Sequence, residues 1–387
     1  MLSLTYEIPC YYNKNDKNQD GKCEKMIPLV KTYLAPKNEM MSAIEDILYS
    51  GYIAVGDSVN EFEVQFGNYI GNKNVVALNS GTAALHIALE LIGIKAGDEV
   101  ISTPMTSEAT NTTIAITGAK IVWADVDPAT GLLDPVSVES RITDKTKAIM
   151  VVHYAGMVCD MDKFNKLSQK YNIPIIEDTA HALGSKYNEK LVGNNSPYTC
   201  FSFQAIKHIT TIDGGVISFS NENSVEEAKL LRWFGLSKKV SRLDNDIKRA
   251  GYKYAMNNVN ATIGLVQMKH INYVINTHID NGKYYDTALN GIGGVTLVPY
   301  YNNTEPSYWL YTMKVENRDE FIRMLGSAGI MASPLHHRND THSVFKKSRC
   351  ELPNMDRWYS SYVHIPCGWW VNKEDREFIV DTIKKGW

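Results

Sequence analysis

The sequence predicts an α/β protein with a mostly parallel sheet covered by helices on both faces, followed by a smaller α+β part. Apolar runs of about four to seven residues recur from residue 75 to residue 178, and helical patterns separate them. Beyond a glycine-rich joint at 290–294 the pattern changes to a strand and two helices. We expect an N-terminal extension at 1–26, a large domain at 27–270 and a small C-terminal domain at 271–387.

Each predicted element rests on the period of its apolar residues. In the large domain we expect strands at 75–78, 99–101, 120–126, 146–153 and 173–178, and a strand-like piece at 27–34. We expect helices at 38–50, 58–69, 83–92, 161–171 and, as one long segment, 261–288; the small domain has a strand at 309–315, a helix at 318–328 and a terminal helix after 372. Ligands of such sheets bind at the carboxyl ends of the strands, so we expect the functional site there.

Composition and charge exclude several classes of protein. The formal charge of −3 leaves no footprint for nucleic acid or an acidic membrane surface. The six cysteines are scattered without a C-x-x-C pair, which argues against structural zinc or a disulfide scaffold. We see no secretory signal and no apolar run of about 18 residues. The sequence therefore predicts a cytoplasmic enzyme or binding protein without a metal.

One lysine follows an alternating apolar and polar run in the stretch 201–216 (FSFQAIKHITTIDGGV). An amine at the end of a rigid strand is well held for chemistry, and Gly214 and Gly215 allow backbone to approach a ligand closely. Taken alone, the same pattern also fits a surface lysine on a strand-turn-strand hairpin. Lys207 is a candidate because of the other motifs in the chain.

Two further motifs follow strands. The run NSGTA at 79–83 stands between a strand and a helix, where backbone N–H groups and small hydroxyl residues bind anions or simply cap the helix. Glu177 and Asp178 end another strand, and a buried carboxylate there can keep a cationic ring nitrogen protonated. A phosphate cradle, an aspartate and a lysine that can form a Schiff base are the parts that pyridoxal phosphate requires.

In this order the motifs resemble the DegT/DnrJ/EryC1/StrS family of nucleotide-sugar aminotransferases, from about residue 27 to the C-terminus. The motifs that carry the resemblance are GYI at 51–53 with Gly56, NSGTAAL at 79–85, GDEVI at 97–101, GAK at 118–120, DVD at 125–127, VHYAG at 152–156, IEDTAH at 176–181, FSF at 201–203 with Lys207, and GYKY at 251–254. The resemblance implies the type I fold of pyridoxal-phosphate-dependent transferases and pyridoxal 5′-phosphate as cofactor.

The resemblance also implies roles for individual residues. Lys207 would bind the cofactor covalently and move protons, Asp178 would face the pyridine nitrogen, and His181 would lie against the ring. The phosphate would be held by Ser80, Gly81, Thr82 and Ser202, with Lys253 reaching the cofactor of a neighbouring subunit in a homodimer with shared active sites. The substrate would be a nucleotide-linked 4-keto (or 3-keto) 6-deoxy sugar, with L-glutamate as amino donor, and the expected substrate-side residues are Tyr154, His336 and Arg338.

Three points depart from the family pattern or leave an alternative open. The family usually has asparagine where Lys253 stands. The segment after Pro104 lacks the aromatic residue that often stacks on the pyridine ring, so Thr106, Ser107 and Glu108 are only neighbours of the site. Relatives with histidine in place of the lysine are 3-dehydratases, and His208 follows Lys207; since neighbours on a strand point to opposite faces, we expect Lys207 in the site. A dehydratase and a non-catalytic nucleotide-sugar-binding protein remain the alternatives.

Overall fold

The computed structural model describes residues 26–387, and of the predicted N-terminal extension only Met26 lies within them. Strands and helices alternate through most of this part of the chain. In chain order the strands are β1 (Val75–Leu78), β2 (Glu99–Ser102), β3 (Lys120–Trp123), β4 (Thr146–Val152), β5 (Ile175–Asp178), β6 (Lys186–Tyr187), β7 (Lys190–Leu191), β8 (Tyr198–Ser202), β9 (Gly215–Phe219), β10 (Val295–Leu297), β11 (Thr304–Glu305), β12 (Tyr311–Val315) and β13 (Tyr362–Ile365).

The α-helices surround these strands. They are α1 (Lys37–Tyr49), α2 (Asp57–Ile70), α3 (Gly81–Ile92), α4 (Glu108–Ile116), α5 (Pro135–Ser140), α6 (Met161–Tyr171), α7 (Asn223–Leu231), α8 (Asn258–Met268), α9 (Ile271–Ala288), α10 (Arg318–Ser327), α11 (Pro353–Ser361) and α12 (Lys373–Lys384). None of them combines the length and apolarity that a membrane span requires within residues 26–387.

The large sheet has seven strands in the order β1-β9-β8-β5-β4-β2-β3. The pairs β8–β5, β5–β4, β4–β2 and β2–β3 are parallel, and β9 runs antiparallel to β8 and to β1. This confirms the predicted mixed, mostly parallel sheet. Since every strand except β9 points the same way, the carboxyl ends of β1, β2, β4, β5 and β8 meet at one edge.

The core explains why the strand sequences are apolar. Every residue of β1, β2 and β5 is buried because helices cover both faces of the sheet. Four phenylalanines join α2 to β8 and the chain that follows it, with Phe66 edge-on to Phe201 and Phe203 at ring distances of 5.1 and 5.3 Å and Phe62 at 5.5 Å from Phe203. This contact fixes the end of β8, from which the loop carrying Lys207 begins.

A second hydrophobic cluster lies in the C-terminal part, on the three-stranded antiparallel sheet β10-β12-β13. Within α9 the core changes over: Ile271 and Ile275 pack in the cluster of the large sheet, and Tyr285 packs in the second one. The division into domains at 270 and 271 stays a prediction.

Two predicted elements differ most from the structure. The helical segment 261–288 is interrupted, because α8 ends at Met268 and α9 begins at Ile271. The piece 27–34 forms no strand, and only Ile27 makes a bridge, to Ile330. Further along that piece the backbone is held by a side chain, since Gln267 donates to the Tyr33 carbonyl and accepts from the Ala35 N–H at 2.8 Å each.

Candidate active site

A cavity of about 300 Å³ opens at the carboxyl edge of the large sheet. It is large enough for a small cofactor. Its walls come from the start of α3, the segment before and within α4, the end of β5, the end of β8, the loop between β8 and β9, and one residue of the C-terminal part. The lining residues are Ser80, Gly81, Thr82, Leu85, Ser107, Ala109, Thr110, Asp178, Ala180, Cys200, Ser202, Gln204, Ile206, Lys207, Asp213, Gly214 and His336.

Lys207 lies in the loop 203–214 between β8 and β9, and therefore not at the end of a strand as the sequence pattern predicted. The loop is closed by hydrogen bonds from the Lys207 N–H to the Gln204 carbonyl (3.0 Å) and from Phe203 to Gly214 (2.8 Å). Lys207 lines the cavity, whereas the His208 side chain is buried and its Nε2 lies 3.2 Å from the Ser307 carbonyl. The two side chains point in different directions because the backbone turns in this loop, and not because side chains alternate along a strand.

Burial lowers the pKa of Lys207 to about 8, and the carboxylate of Asp178 opposes that shift. The cause is the loss of water around the ammonium group, which favours the uncharged amine. A sizeable fraction of this lysine is therefore a neutral, nucleophilic amine near pH 8.

Asp178 ends β5, and its two carboxylate oxygens are held by different donors. Thr110 donates its hydroxyl hydrogen to Oδ2 at 2.7 Å, and the backbone N–H of Ala180 donates to Oδ1 at 3.0 Å. Thr106 in turn hydrogen-bonds Thr110 at 2.7 Å. The carboxylate is thus fixed towards the cavity it lines. Sequence reasoning missed Thr110. A usable signal was its place four residues after Thr106, which itself follows the end of β2 closely.

The start of α3 forms a narrow cradle. Ser80 is the N-cap, and its hydroxyl accepts from the Ala83 N–H at 3.0 Å. A Cβ at Gly81 would lie 2.7 Å from the Cβ of Ser202, and one at Gly215 would lie 2.4 Å from the Ser80 carbonyl oxygen. Only glycine allows these approaches. The free N–H groups of the first turn and the Ser202 side chain therefore line the same end of the cavity, where an anion fits.

His181, which the sequence places against the cofactor ring, is 3% exposed and is not among the residues that line the cavity. Its ring stacks on Trp309 with a centroid distance of 3.9 Å and an angle of 16°. The Ala155 N–H donates to Nδ1 at 3.4 Å, so the ring proton is on Nε2, which is buried without a hydrogen-bond partner. Burial, and then the charge of Lys207, hold the pKa of His181 well below its usual range, so the ring is neutral.

Trp309 is a second residue that sequence reasoning did not single out. Its indole also lies 4.3 Å from the Lys207 Nζ, measured to the ring centroid. Its only signal was its place as the first residue of the predicted strand 309–315; in the structure it lies just before that strand, β12, which begins at Tyr311.

The substrate-side residues predicted from the sequence lie in different places. His336 lines the cavity, and its ring is parallel to that of His181 at 5.6 Å. Tyr154 is 2% exposed, does not line the cavity and packs with its hydroxyl 3.2 Å from His364 Nε2. Arg338 also stays outside, because it donates two 2.8 Å hydrogen bonds to Asp340 and a further one to Asp356. Of these three residues, only His336 lies where it can contact a bound substrate.

Lys253 is exposed and does not line the cavity of its own chain. Its Nζ lies 3.9 Å from the centroid of the Trp233 ring. The backbone of the same segment is tied to the cradle, since the Asn79 N–H donates to the Tyr254 carbonyl at 2.7 Å.

The residues present fit pyridoxal phosphate. An anion cradle, a fixed carboxylate and an amine of lowered pKa surround one cavity, and the buried Nε2–H of His181 lacks an acceptor. No group of three or more His, Cys, Asp or Glu side chains within residues 26–387 is arranged to hold a metal ion.

Comparison with known proteins agrees with this chemistry. The model of the DegT/DnrJ/EryC1/StrS aminotransferase family matches residues 35–384. The chain belongs to this family. It is 34% identical to the UDP-4-amino-4-deoxy-L-arabinose–oxoglutarate aminotransferase of Shewanella sediminis, over 89% of this chain and 94% of that protein.

Solved structures of family members superpose on it closely. The sugar aminotransferase CalS13 of Micromonospora echinospora aligns with a TM-score of 0.90 at 36% identity, over 94% of this chain and all of that one. A protein of Streptococcus pneumoniae described as a sugar aminotransferase, in its PLP form, aligns with a TM-score of 0.86 at 28% identity, over 93% and 98% of the two chains. The protein described here is therefore a sugar aminotransferase, and its cofactor is pyridoxal 5′-phosphate.

Proposed function

We propose that this aminotransferase converts a nucleotide-linked 4-keto 6-deoxy sugar to the 4-amino sugar with L-glutamate as donor, and that a 3-keto sugar is the second candidate. The observation that carries the proposal is the single cavity shared by Lys207, Asp178 and the N-terminus of α3. The Shewanella relative is named for a UDP-linked sugar aminated at C4 and for oxoglutarate, the keto acid that glutamate leaves behind.

Pyridoxal phosphate supplies an electrophilic carbonyl and an electron sink when it is bound. The N–H groups at the start of α3, together with the side chains of Ser80, Thr82 and Ser202, would hold its phosphate. Asp178 would face the ring nitrogen and keep a proton there by charge attraction. Because Thr110 and the Ala180 N–H already hold this carboxylate, it does not need to reorganise during the reaction.

Lys207 is the proposed nucleophile and general base. Its Nζ removes the proton from the α-carbon of glutamate and returns a proton at the sugar carbon in the second half of the reaction. A pKa of about 8 suits both tasks, because the amine can lose and regain its proton near neutral pH.

On the substrate side we retain His336. Burial and the nearby Lys207 lower the pKa of His336 to about 3, and its Nε2 is buried without a hydrogen-bond partner. The neutral ring can donate or accept one hydrogen bond towards a sugar hydroxyl or the donor carboxylate. We do not retain Tyr154 or Arg338 in this role, since one is enclosed and the other is engaged with two carboxylates.

We further infer a homodimer with shared active sites in the cytoplasm. Large apolar side chains are exposed in the loop after α1, in the loop that carries Lys207 and in the chain before Lys253, and a dimer interface would cover them. They include Tyr52 (79% exposed), Ile53 (50%), Ile212 (52%) and Ile247 (52%). In such a dimer the exposed Lys253 would serve the phosphate in the partner's cavity.

The test is a reaction with ¹⁵N-labelled glutamate and synthetic UDP- and dTDP-linked 4-keto 6-deoxy sugars, followed by mass spectrometry. We expect an amino sugar that carries the label, and a cofactor absorbance band that shifts when glutamate alone is added. A product that has lost its C3 hydroxyl group and gained no nitrogen would identify a dehydratase. Binding of the nucleotide sugar without turnover or cofactor absorbance would leave a binding protein.

A further inference from the structure

We propose that Trp309 is a positioning residue of this enzyme, whose single indole fixes both the Lys207 amine and the His181 ring. The inference rests on the role proposed for Lys207. The C-terminal part of the chain then contributes to the site in two ways, since His336 lines the cavity and Trp309 holds the reactive amine in position.

Three contacts hold the indole in one orientation. Its Nε1–H donates to the carbonyl of Ile206, the residue before Lys207, at 2.9 Å. The second contact is with the Lys207 Nζ, which lies 4.3 Å from the ring centroid, and the third is the stack on the His181 ring at a centroid distance of 3.9 Å. Since Trp309 is only 2% exposed, rotation of the ring would break all three contacts without replacement by water.

The backbone that presents Trp309 is clamped. Tyr308 has φ = +49°, a conformation that a residue with a bulky side chain adopts only when its surroundings impose it. His278 Nδ1 lies 2.8 Å from the Tyr308 carbonyl. A Cβ at Gly156 would lie 2.7 Å from the Tyr308 nitrogen, and one at Gly282 would lie 2.3 Å from the Tyr308 ring. This turn directs the indole at the site.

Several charged and titratable groups surround the Lys207 amine. They are the carboxylate of Asp178 from β5 and the imidazoles of His181, His208 and His336, and burial keeps all three imidazoles neutral. The face of the Trp309 indole attracts the ammonium form only. Replacement by leucine keeps apolar cover but removes this attraction and the anchor on the Ile206 carbonyl.

The experiment measures how fast the apo protein captures pyridoxal phosphate as a function of pH, with borohydride trapping and peptide mass spectrometry to locate the cofactor. We expect Trp309→Leu to slow capture at Lys207 by about tenfold and to lower the midpoint of the pH profile by about half a pH unit. Trp309→Phe keeps an aromatic face, so it should stay within about threefold of the wild type. In turnover, kcat should fall in the leucine variant while KM for glutamate changes by less than about twofold.

Trp123→Leu is the matched control, because Trp123 is 1% exposed and packs on Phe345 without lining the cavity. It should keep the wild-type rate and midpoint. If Trp309→Leu does not fold, Trp309→Met makes the same comparison with a longer side chain. The inference about Trp309 would be wrong, while the role of Lys207 would stand, if the variant without an indole kept the wild-type rate and midpoint. The same holds if Trp123→Leu showed the same defect. A wild-type protein that traps no cofactor at Lys207 would overturn the role of Lys207 and this inference with it.

Discussion

Glu177 and Asp178 are adjacent carboxylates on β5, yet they lie on opposite faces of the sheet and meet different surroundings. Glu177 is completely buried, with Oε2 2.7 Å from His153 Nε2 and Oε1 accepting from the Thr199 hydroxyl at 3.3 Å. Asp178 lines the cavity. Alternation along one strand thus gives one carboxylate a structural role and leaves the next for chemistry.

The same contrast separates two buried histidines. In His153 and in His181 a backbone N–H donates to Nδ1, which leaves the ring proton on Nε2. The His153 proton is bound by Glu177, whereas the His181 proton has no acceptor. A polar group that is satisfied within the fold contributes to stability, whereas the unsatisfied Nε2–H of His181 still has a hydrogen bond to donate.

Replacing Asp178 by asparagine should have the largest effect on activity. The amide keeps the size of the side chain and can still accept from Thr110, but it has no charge to hold a proton on a ring nitrogen. We expect kcat/KM to fall by roughly 100-fold or more, with a change of less than about 1 kcal/mol in the free energy of unfolding. Activity within tenfold of the wild type in steady-state assays would remove Asp178 from its proposed role.

Glu177→Ala should show the opposite profile. It leaves the His153 Nε2–H and the Thr199 hydroxyl buried without their acceptor, so we expect a loss of about 3 kcal/mol in the free energy of unfolding. The folded fraction should keep kcat/KM within about twofold. Urea unfolding measures the first quantity, and Glu177→Gln, which retains an acceptor oxygen, should cost less. A stable but inactive Glu177→Ala protein would contradict the division between the two faces.

The pH dependence of cofactor capture sharpens the comparison further. Capture needs the neutral amine of Lys207, so its rate should rise about tenfold per pH unit below the pKa of about 8 and level off above it. Asp178 raises this pKa, so Asp178→Asn should move the midpoint to lower pH, while Glu177→Gln should leave it unchanged. A wild-type midpoint near that of an ordinary lysine would mean that the amine is not desolvated.

The smallest effect is expected at Arg338. Its guanidinium is engaged with Asp340 and Asp356, so Arg338→Ala should lower the free energy of unfolding by about 1 kcal/mol and change KM for the nucleotide sugar by less than about twofold. His336→Ala is the contrasting variant, because that side chain lines the cavity. A large rise in KM for Arg338→Ala would restore the substrate role that the sequence predicted.

Local patterns predicted much of this geometry. The apolar runs located β1 and β5 to within two residues, and the rule for parallel sheets predicted that the NSGTA turn and Asp178 meet. Patterns could not predict that Trp309 lies under a lysine about 100 residues earlier in the chain, since that contact depends on how the C-terminal part packs. They also could not predict that Tyr154 is enclosed or that Arg338 pairs with Asp356, because both outcomes depend on tertiary neighbours.

The most direct test of the account is to reduce the cofactor-loaded enzyme with borohydride and to map the modified peptide by mass spectrometry. The account predicts one phosphopyridoxyl group per chain, on Lys207, and none in Lys207→Ala. Modification of another lysine such as Lys253, or an unmodified protein after loading with pyridoxal phosphate, would contradict the central claim that Lys207 is the reactive amine.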